Sequence, residues 1–263
     1  MRLLPRRVAI TAVEDDGDFD ISHWLWTAKE VTTDPIGPYM IAASPRACAA
    51  GLAGTTSAPV ATCPAREDAL DAQPVRTMTA EDEGPALETV VLAFAADPVT
   101  RWAWPHTHQY MAAMPRFVRA FGDGAFAHGA AYCTNEYTGV ALWLPPGVHP
   151  DEDRLGELMA STASPAGREA GRAIFEQMAQ YHPSEPHWYL PLIGVDPAYQ
   201  GRGYGDALMA YALERCDHDK LPAYLESTNP RNISLYRRHG FEPLGTIQAG
   251  SSPPLFPMLR RPG

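Results

Sequence analysis

Three features that mark well-known protein classes are lacking from this sequence. Its four cysteines, Cys48, Cys63, Cys133 and Cys216, are widely spaced and form no CxxC pair, which disfavours a zinc knuckle or a disulfide scaffold and fits a reducing cytoplasm. No apolar run approaches the roughly 20 residues that a membrane helix needs. The formal net charge is −10, whereas a broad nucleic-acid surface needs clustered Lys and Arg. We therefore expect a cytoplasmic protein without metal, membrane or nucleic-acid partners, although a few backbone amides could still hold a small anion.

The chain divides near residue 74. Residues 1–73 include a stretch rich in Ala, Pro, Thr and Gly with little periodicity, which predicts a poorly ordered extension or linker. Two other interpretations stay open: Trp24 and Trp26 belong to a small packed element, or the reading frame is over-extended and Met78 lies near the natural start. From residue 74 to 263, strand-like and helical patterns alternate, with hairpins early and late, and this predicts one α/β domain with a mixed sheet.

The stretch "QGRGYG" joins a predicted strand at 187–195 to a predicted helix beginning near residue 204. A strand-to-helix junction leaves the first helical N–H groups without partners, and they carry the positive end of the helix dipole. Glycines at 201, 203 and 205 would let a phosphate approach these groups, or they would simply make a tight turn. The spacing is neither the G-x-G-x-x-G fingerprint nor a Walker loop.

Pro191 lies inside that predicted strand, in "HWYLPLIGV". Because proline cannot donate to a sheet ladder, it marks an edge strand, a bulge, or a place where neighbouring strands part. An edge strand is the commonest of these. A parted strand would leave backbone groups free to pair with an extended ligand.

Asn232 and Tyr236 lie four residues apart in a predicted helix over 230–240, so they share one face. Asn229 suits the N-cap of this helix, Pro230 its first turn and Gly240 its end. A carboxamide beside a phenol could hold an amide-bearing ligand and donate a proton, but a surface Asn and a half-buried Tyr are commonplace.

Taken together, "LIGVDPAYQGRGYGDALM" and "YLESTNPRNISLYRRHGFEPLG" resemble the acetyl-CoA-binding core of the GNAT superfamily of N-acetyltransferases. The Q/R-x-x-G-x-G/A signature matches at Gln200, Gly203 and Gly205, and "N-x-x-x-LY-x-x-x-GF" matches from Asn232 to Phe241. The wider run from residue 182 to 245 is similar to the branch that includes puromycin N-acetyltransferase. The resemblance covers about residues 74–262.

This resemblance implies a GNAT fold, with a mixed, mostly antiparallel sheet flanked by helices and with splayed central strands. It also implies a direct transfer of acetyl from acetyl-CoA to a primary amine, most simply on a small molecule. The pantetheine arm would pair with Ile193 and Val195 and touch Asn232, and Tyr236 would protonate the departing thiolate. The pyrophosphate would lie on the turn formed by Gln200, Gly201, Arg202, Gly203, Tyr204 and Gly205.

The amine must lose a proton, so we expect a general base. Glu226 matches an acidic position of the puromycin-type branch, and burial could raise its pKa. His187 opens the strand that contains Pro191, and a histidine titrating near neutral pH would suit the role, while Glu136 fits a hairpin turn better. A structural role is an equal or commoner alternative for each of the three.

The acceptor region is less sharply defined. In "WAWPHTHQY", Trp102, Trp104 and Tyr110 could line a pocket for an apolar amine or pack in the core, and His106 with His108 makes only a weak metal motif. The alternatives to a small-molecule enzyme are a catalytically silent acetyl-CoA-binding module and a protein acetyltransferase. We expect a monomer or a homodimer.

Overall fold

A mixed seven-stranded sheet forms the centre of the part of the chain that the computed structural model describes, residues 74–263. The predictions for residues 1–73 lie outside this range. The strand order is β1-β2-β3-β4-β5-β7-β6, and every neighbouring pair is antiparallel except β4 and β5, which are parallel. The strands are β1 Val75–Thr77, β2 Ala131–Thr134, β3 Gly139–Leu144, β4 Trp188–Val195, β5 Ala223–Ser227, β6 Glu242–Pro243 and β7 Phe256–Arg260.

Helices cover both faces of the sheet, as the alternating sequence pattern predicts. Their bounds are α1 Glu83–Ala93, α2 Pro98–Ala103, α3 Thr107–Ala127, α4 Glu152–Thr162, α5 Pro165–Tyr181, α6 Tyr204–Asp219 and α7 Ile233–Arg238. The mixed, mostly antiparallel α/β architecture that we predicted is therefore confirmed.

The two faces of the sheet build separate hydrophobic cores. Side chains of α1, α3 and α4 pack on one face, where Tyr189 and Tyr224 also point. Side chains of α6 and α7 pack on the other face, together with Trp188 and Leu225. Because successive strand residues alternate between faces, Tyr189 and Trp188 fall on opposite sides.

Two prolines lie in helices. α1 ends at Ala93, and α2 starts at Pro98 with the Asp97 carboxylate accepting from the amides of Val99 and Thr100 at 3.0 and 3.1 Å. Pro115 lies inside α3, which runs through it.

Pro115 is half-buried, and its missing N–H leaves one helical carbonyl without its usual partner. That carbonyl belongs to the residue four positions earlier, Met111, whose side chain is exposed.

Within residues 74–263, no helix combines the length and the apolar character that a membrane crossing requires. Cys133 and Cys216 are both buried free thiols.

Candidate active site

Strands β4 and β5 pair only at their starts. Trp188 is opposite Ala223 and Tyr189 is opposite Tyr224, and beyond these pairs β4 continues to Val195 without a partner from β5. The Tyr189–Tyr224 pair therefore marks the vertex of a V-shaped opening in the middle of the sheet.

A β-bulge accompanies this opening. Leu142 of β3 is opposite Leu192, but Leu144 is opposite Tyr189, so β4 carries one extra residue in the interval that contains Pro191. Pro191 lacks the N–H that a regular ladder would use. Of the three interpretations of this proline, the edge strand is wrong, because β4 lies between β3 and β5, whereas the bulge and the parting of strands both occur.

A cavity of about 630 Å³ occupies the opening. Its walls come from the end of α1, the parted part of β4, the turn before α6, the end of β5 and α7. Ten residues that the sequence singled out line it: Ile193, Val195, Gln200, Gly201, Gly203, Tyr204, Gly205, Glu226, Asn232 and Tyr236. Two others, Arg202 and His187, do not.

The glycine turn forms the outer end of this cavity. Gly201 and Gly203 have φ values of 77° and 88°, in the left-handed region that side chains disfavour, and Gly203 is the N-cap of α6. Within the described part of the chain, the backbone amides of residues 201–206 donate to no acceptor. The turn therefore presents free N–H groups at the positive end of α6, which suits an anion.

Arg202 turns away from the cavity, since its guanidinium stacks over the ring of Tyr199 at 5.0 Å and donates to the carbonyl of Ala198 at 3.3 Å. In the first turn of α6, the carboxylate of Asp206 accepts from Arg238 of α7 at 3.0 Å. This pairing offsets a negative charge that would otherwise oppose an anion at the turn.

Glu226 lies at the inner end of the cavity, just beyond the vertex on β5. Its Oε1 atom is buried and has no hydrogen-bond partner among the described residues. Burial raises the pKa of Glu226 to about 7, although the nearby hydroxyls of Tyr189 and Tyr224 lower it. These phenols lie close to the carboxyl group, but the Tyr224 hydroxyl is not in full hydrogen-bond geometry with any described atom. A carboxyl group that titrates near neutral pH is suited to general-base chemistry.

Tyr236 reaches the same cavity from α7. The residue is buried, and that burial, with a smaller contribution from the charge of Asp97, raises the pKa of its phenol above the usual value. The phenol is therefore protonated at neutral pH and can act as a proton donor.

The sequence did not single out Asp97 as a site residue, yet it lines the cavity. Its carboxylate accepts from the hydroxyl of Thr228 at 2.5 Å, which ties the α1–α2 connection to the end of β5. The N-cap pattern Asp97-Pro98 was the available signal, but it gave no indication of a partner 131 residues away in sequence.

The other candidates lie elsewhere. His187 is buried behind the vertex, and Glu136 is exposed in the β2–β3 turn with φ 56°. Trp104 and Tyr110 are core residues, and the indole of Trp102 donates to Ser251 at 3.2 Å, so none of the three lines the cavity. Among residues 74–263, no group of three or more His, Cys, Asp or Glu side chains is arranged to hold a metal.

Comparison with known proteins yields a consistent set of acetyltransferases. The model of the Acetyltransferase (GNAT) family matches residues 93–241. An uncharacterized N-acetyltransferase of Schizosaccharomyces pombe is 25% identical over 205 residues, which are 71% of this chain and 83% of that protein. A mycothiol acetyltransferase of Acidothermus cellulolyticus is 33% identical over 108 residues, 40% of this chain and 32% of that protein.

Solved structures agree with these relatives. The structure described as histone acetyltransferase HPA2 and related acetyltransferase, from Corynebacterium glutamicum, is 27% identical, with a TM-score of 0.53, over 72% of this chain and 96% of that one. The puromycin-type branch has no specific support here and stays a prediction.

Proposed function

The chain belongs to the GNAT family of acetyltransferases, and we propose that it transfers acetyl from acetyl-CoA to a primary amine of a small molecule. The matched residues cover more than half of the chain, and the acetyltransferase relatives support an acyl-CoA-dependent acetyltransferase. The observation that carries the proposal is the cavity between the parted strands, which is lined by the turn with free amides, by Glu226 and by Tyr236.

The described residues fit the donor. The free amides of the turn at 201–205 suit its pyrophosphate. The unpaired edge of β4, including Ile193 and Val195, offers backbone groups for the amides of the pantetheine arm, beside Asn232. When bound, acetyl-CoA would supply the thioester carbonyl carbon that the amine attacks.

The residues at the inner end would supply proton transfer. Glu226 in its ionised form takes a proton from the incoming ammonium group and leaves a neutral amine. Tyr236 donates its phenolic proton to the departing sulfur and regains a proton from the nitrogen, which loses its second proton as the amide forms. A strand N–H near Ile193 stabilises the charge on the carbonyl oxygen. Holding both reactants in line contributes further, because much of such a barrier is orientational.

The size and charge of the site support a small cationic acceptor. The cavity volume falls within the range of about 300–1,000 Å³ that is usual for small-molecule sites. It is lined by two carboxylates, Asp97 and Glu226, and by apolar residues at and just after the end of α1, such as Leu92 and Phe94. Carboxylates favour an ammonium group over a neutral or anionic acceptor.

The test is thiol release from acetyl-CoA against a panel of amines at pH 8. The panel should contain alkylamines, arylalkylamines, aminonucleosides such as puromycin, and a lysine-containing peptide. We expect turnover with at least one small amine. Acetyl-CoA binding without turnover on any amine would refute the proposal and favour a silent module, while turnover on the peptide alone would favour a protein acceptor.

A further inference from the structure

The α1–α2 connection, residues 94–97, crosses the opening between the parted strands. At its start, α1 packs directly on β4, because a Cβ added at Gly194 would lie only 2.7 Å from the Cβ of Ala93. At its end, the carboxylate of Asp97 accepts from the hydroxyl of Thr228, the first residue after β5, at 2.5 Å. The connection therefore reaches both arms of the V-shaped opening, and all four of its residues line the cavity.

This crossing lies on the face of the sheet towards which Glu226 points. Leu192 and Tyr224 belong to the core on the α1 face. Gly194 and Glu226 each follow one of them by two residues along a strand, so both also face α1. Tyr236, in contrast, packs in the core of the opposite face. The connection therefore bounds the cavity on the side of the candidate base, and the candidate proton donor reaches the cavity from the other side.

A single side-chain hydrogen bond holds the connection to the far arm of the opening. The backbone of the connection bonds within its own turn, as from the amide of Asp97 to the carbonyl of Phe94 at 3.0 Å. Within residues 74–263, the bond from Thr228 to Asp97 is the only hydrogen bond between this connection and the segment from β5 to α7. Asp97 is only 6% exposed, so water has little access to this bond.

The two carboxylate oxygens of Asp97 have separate partners. Oδ1 accepts from the amides of Val99 and Thr100 and so caps α2, while Oδ2 accepts from Thr228. The bond across the opening can therefore be removed from the Thr228 side while the helix cap stays in place.

We propose that the hydrogen bond between Asp97 and Thr228 sets the width of the acceptor part of the cavity and thereby selects compact primary amines over amines that are branched next to the nitrogen. This inference rests on the proposed function. Asp97 and Thr228 are positioning residues, because they hold the connection, with the side chain of Phe94, at a fixed separation from Glu226. A compact ammonium group fits between this wall and the carboxylate, whereas a branched one meets the wall.

Kinetics of Thr228→Val test this pair, because valine keeps the branched shape of threonine and lacks the hydroxyl. The substrates are the small amine with the highest turnover in the panel described above and its analogue with one methyl group added next to the nitrogen. We expect the KM of the unbranched amine to rise about 10-fold, the order of effect of a hydrogen bond to a charged group, with the Kd of acetyl-CoA unchanged. The ratio of kcat/KM for the branched amine to that for the unbranched amine should rise as well.

Two further variants separate positioning from a general loss of packing. Thr228→Ser keeps the hydroxyl and should behave as the wild type. Thr89→Val is the matched control, because the Thr89 hydroxyl donates to the carbonyl of Tyr137 at 2.7 Å and does not line the cavity; its amine selectivity should be that of the wild type. Unchanged KM and selectivity in Thr228→Val, or the same changes in Thr89→Val, would overturn the proposal.

A second measurement needs neither acetyl-CoA nor turnover. Asp97→Ser keeps a good N-cap for α2, but its shorter side chain no longer reaches Thr228. Because Asp97→Ser and Thr228→Val remove the same bond, their effects on the free energy of unfolding in urea should be clearly less than additive in the double variant. Additive effects would overturn the pair. If the wild type acetylates no amine, the proposed function fails, and this unfolding cycle still decides whether the bond joins the two arms.

Discussion

Replacing Glu226 by glutamine should lower turnover strongly and, above neutral pH, make the protein more stable. Glutamine has the shape and neutrality of the protonated acid, so it removes the buried charge without opening a cavity. The pKa of Glu226 is raised by burial from 4.5 to about 7, and a gap of this size corresponds to roughly 3 kcal/mol of free energy of unfolding.

The direction of this pH dependence of stability follows from proton linkage. Because the folded state holds this proton more tightly than the unfolded chain, the stabilising contribution of Glu226 is fully present below pH 4.5. It is lost as the pH rises through about 7. E226Q keeps its neutral side chain throughout, so its stability advantage over the wild type should be near zero at pH 4.5 and reach roughly 3 kcal/mol at pH 8.

The activity of the wild type should rise over the pH range in which its stability falls. The basic form of Glu226 predominates only above a pH of about 7, so kcat/KM of the wild type should rise tenfold per pH unit below that value and level off above it. Loss of a general base lowers turnover by about 10²- to 10⁴-fold, and E226Q should show such a loss with no inflection near pH 7.

The assay is urea unfolding of the wild type and E226Q at pH 5 and pH 8, together with kcat/KM measured over the same pH range. E157Q, at an exposed position of α4, is the control and should change neither quantity. Equal stability of E226Q and wild type at pH 8 would refute the buried-carboxylate argument. A stabilised E226Q that keeps full turnover would confirm the burial and refute the role of Glu226 as base.

Three further predictions concern the donor end and the extension. Tyr236→Phe should lower kcat about 10²-fold with the Kd of acetyl-CoA unchanged, and equal turnover would exclude it as the proton donor. Gly201→Ala should lower the free energy of unfolding by about 1–2 kcal/mol and weaken acetyl-CoA binding, because the φ of Gly201 is 77°, although a Cβ there meets no atom within 4 Å. The control Gly84→Ala, at an equally open but helical position, should not weaken binding. Equal acetyl-CoA affinity of both variants would argue against the turn as the pyrophosphate cradle. Deleting residues 1–73 should leave acetyl-CoA affinity intact by calorimetry, whereas loss of folding would show that the extension belongs to the core.

The donor end was the more predictable half of the site because its determinants are local. The need for left-handed residues at Gly201 and Gly203, the free amides at a helix start and the spacing of Asn232 from Tyr236 all lie within short stretches of sequence. Strand and helix positions around them follow from the same periodicity. The structure brings these residues to one cavity, as the motifs predict.

The acceptor end was less predictable because its contacts join distant parts of the chain. Nothing in the sequence around Asp97 indicates that Thr228 will bond to it, and aromatic residues at 104 and 110 are equally compatible with a pocket and with the core that they in fact join. Helix α3 likewise continues through Pro115, although a proline inside a helical pattern favours a break on local grounds.

His187 and Glu226 show how pairing register separates two candidates for one role. In sequence both are candidates for the base, because His187 opens one predicted strand and Glu226 lies on the next, where it matches an acidic position of the puromycin-type branch. The extra residue in β4 and the early end of its pairing with β5 place the vertex of the opening between them. Glu226 therefore faces the cavity, and His187 lies behind the tyrosine pair with both ring nitrogens already engaged. Because pairing register decides which side of the vertex a residue occupies, only Glu226 of these two titratable residues lines the cavity.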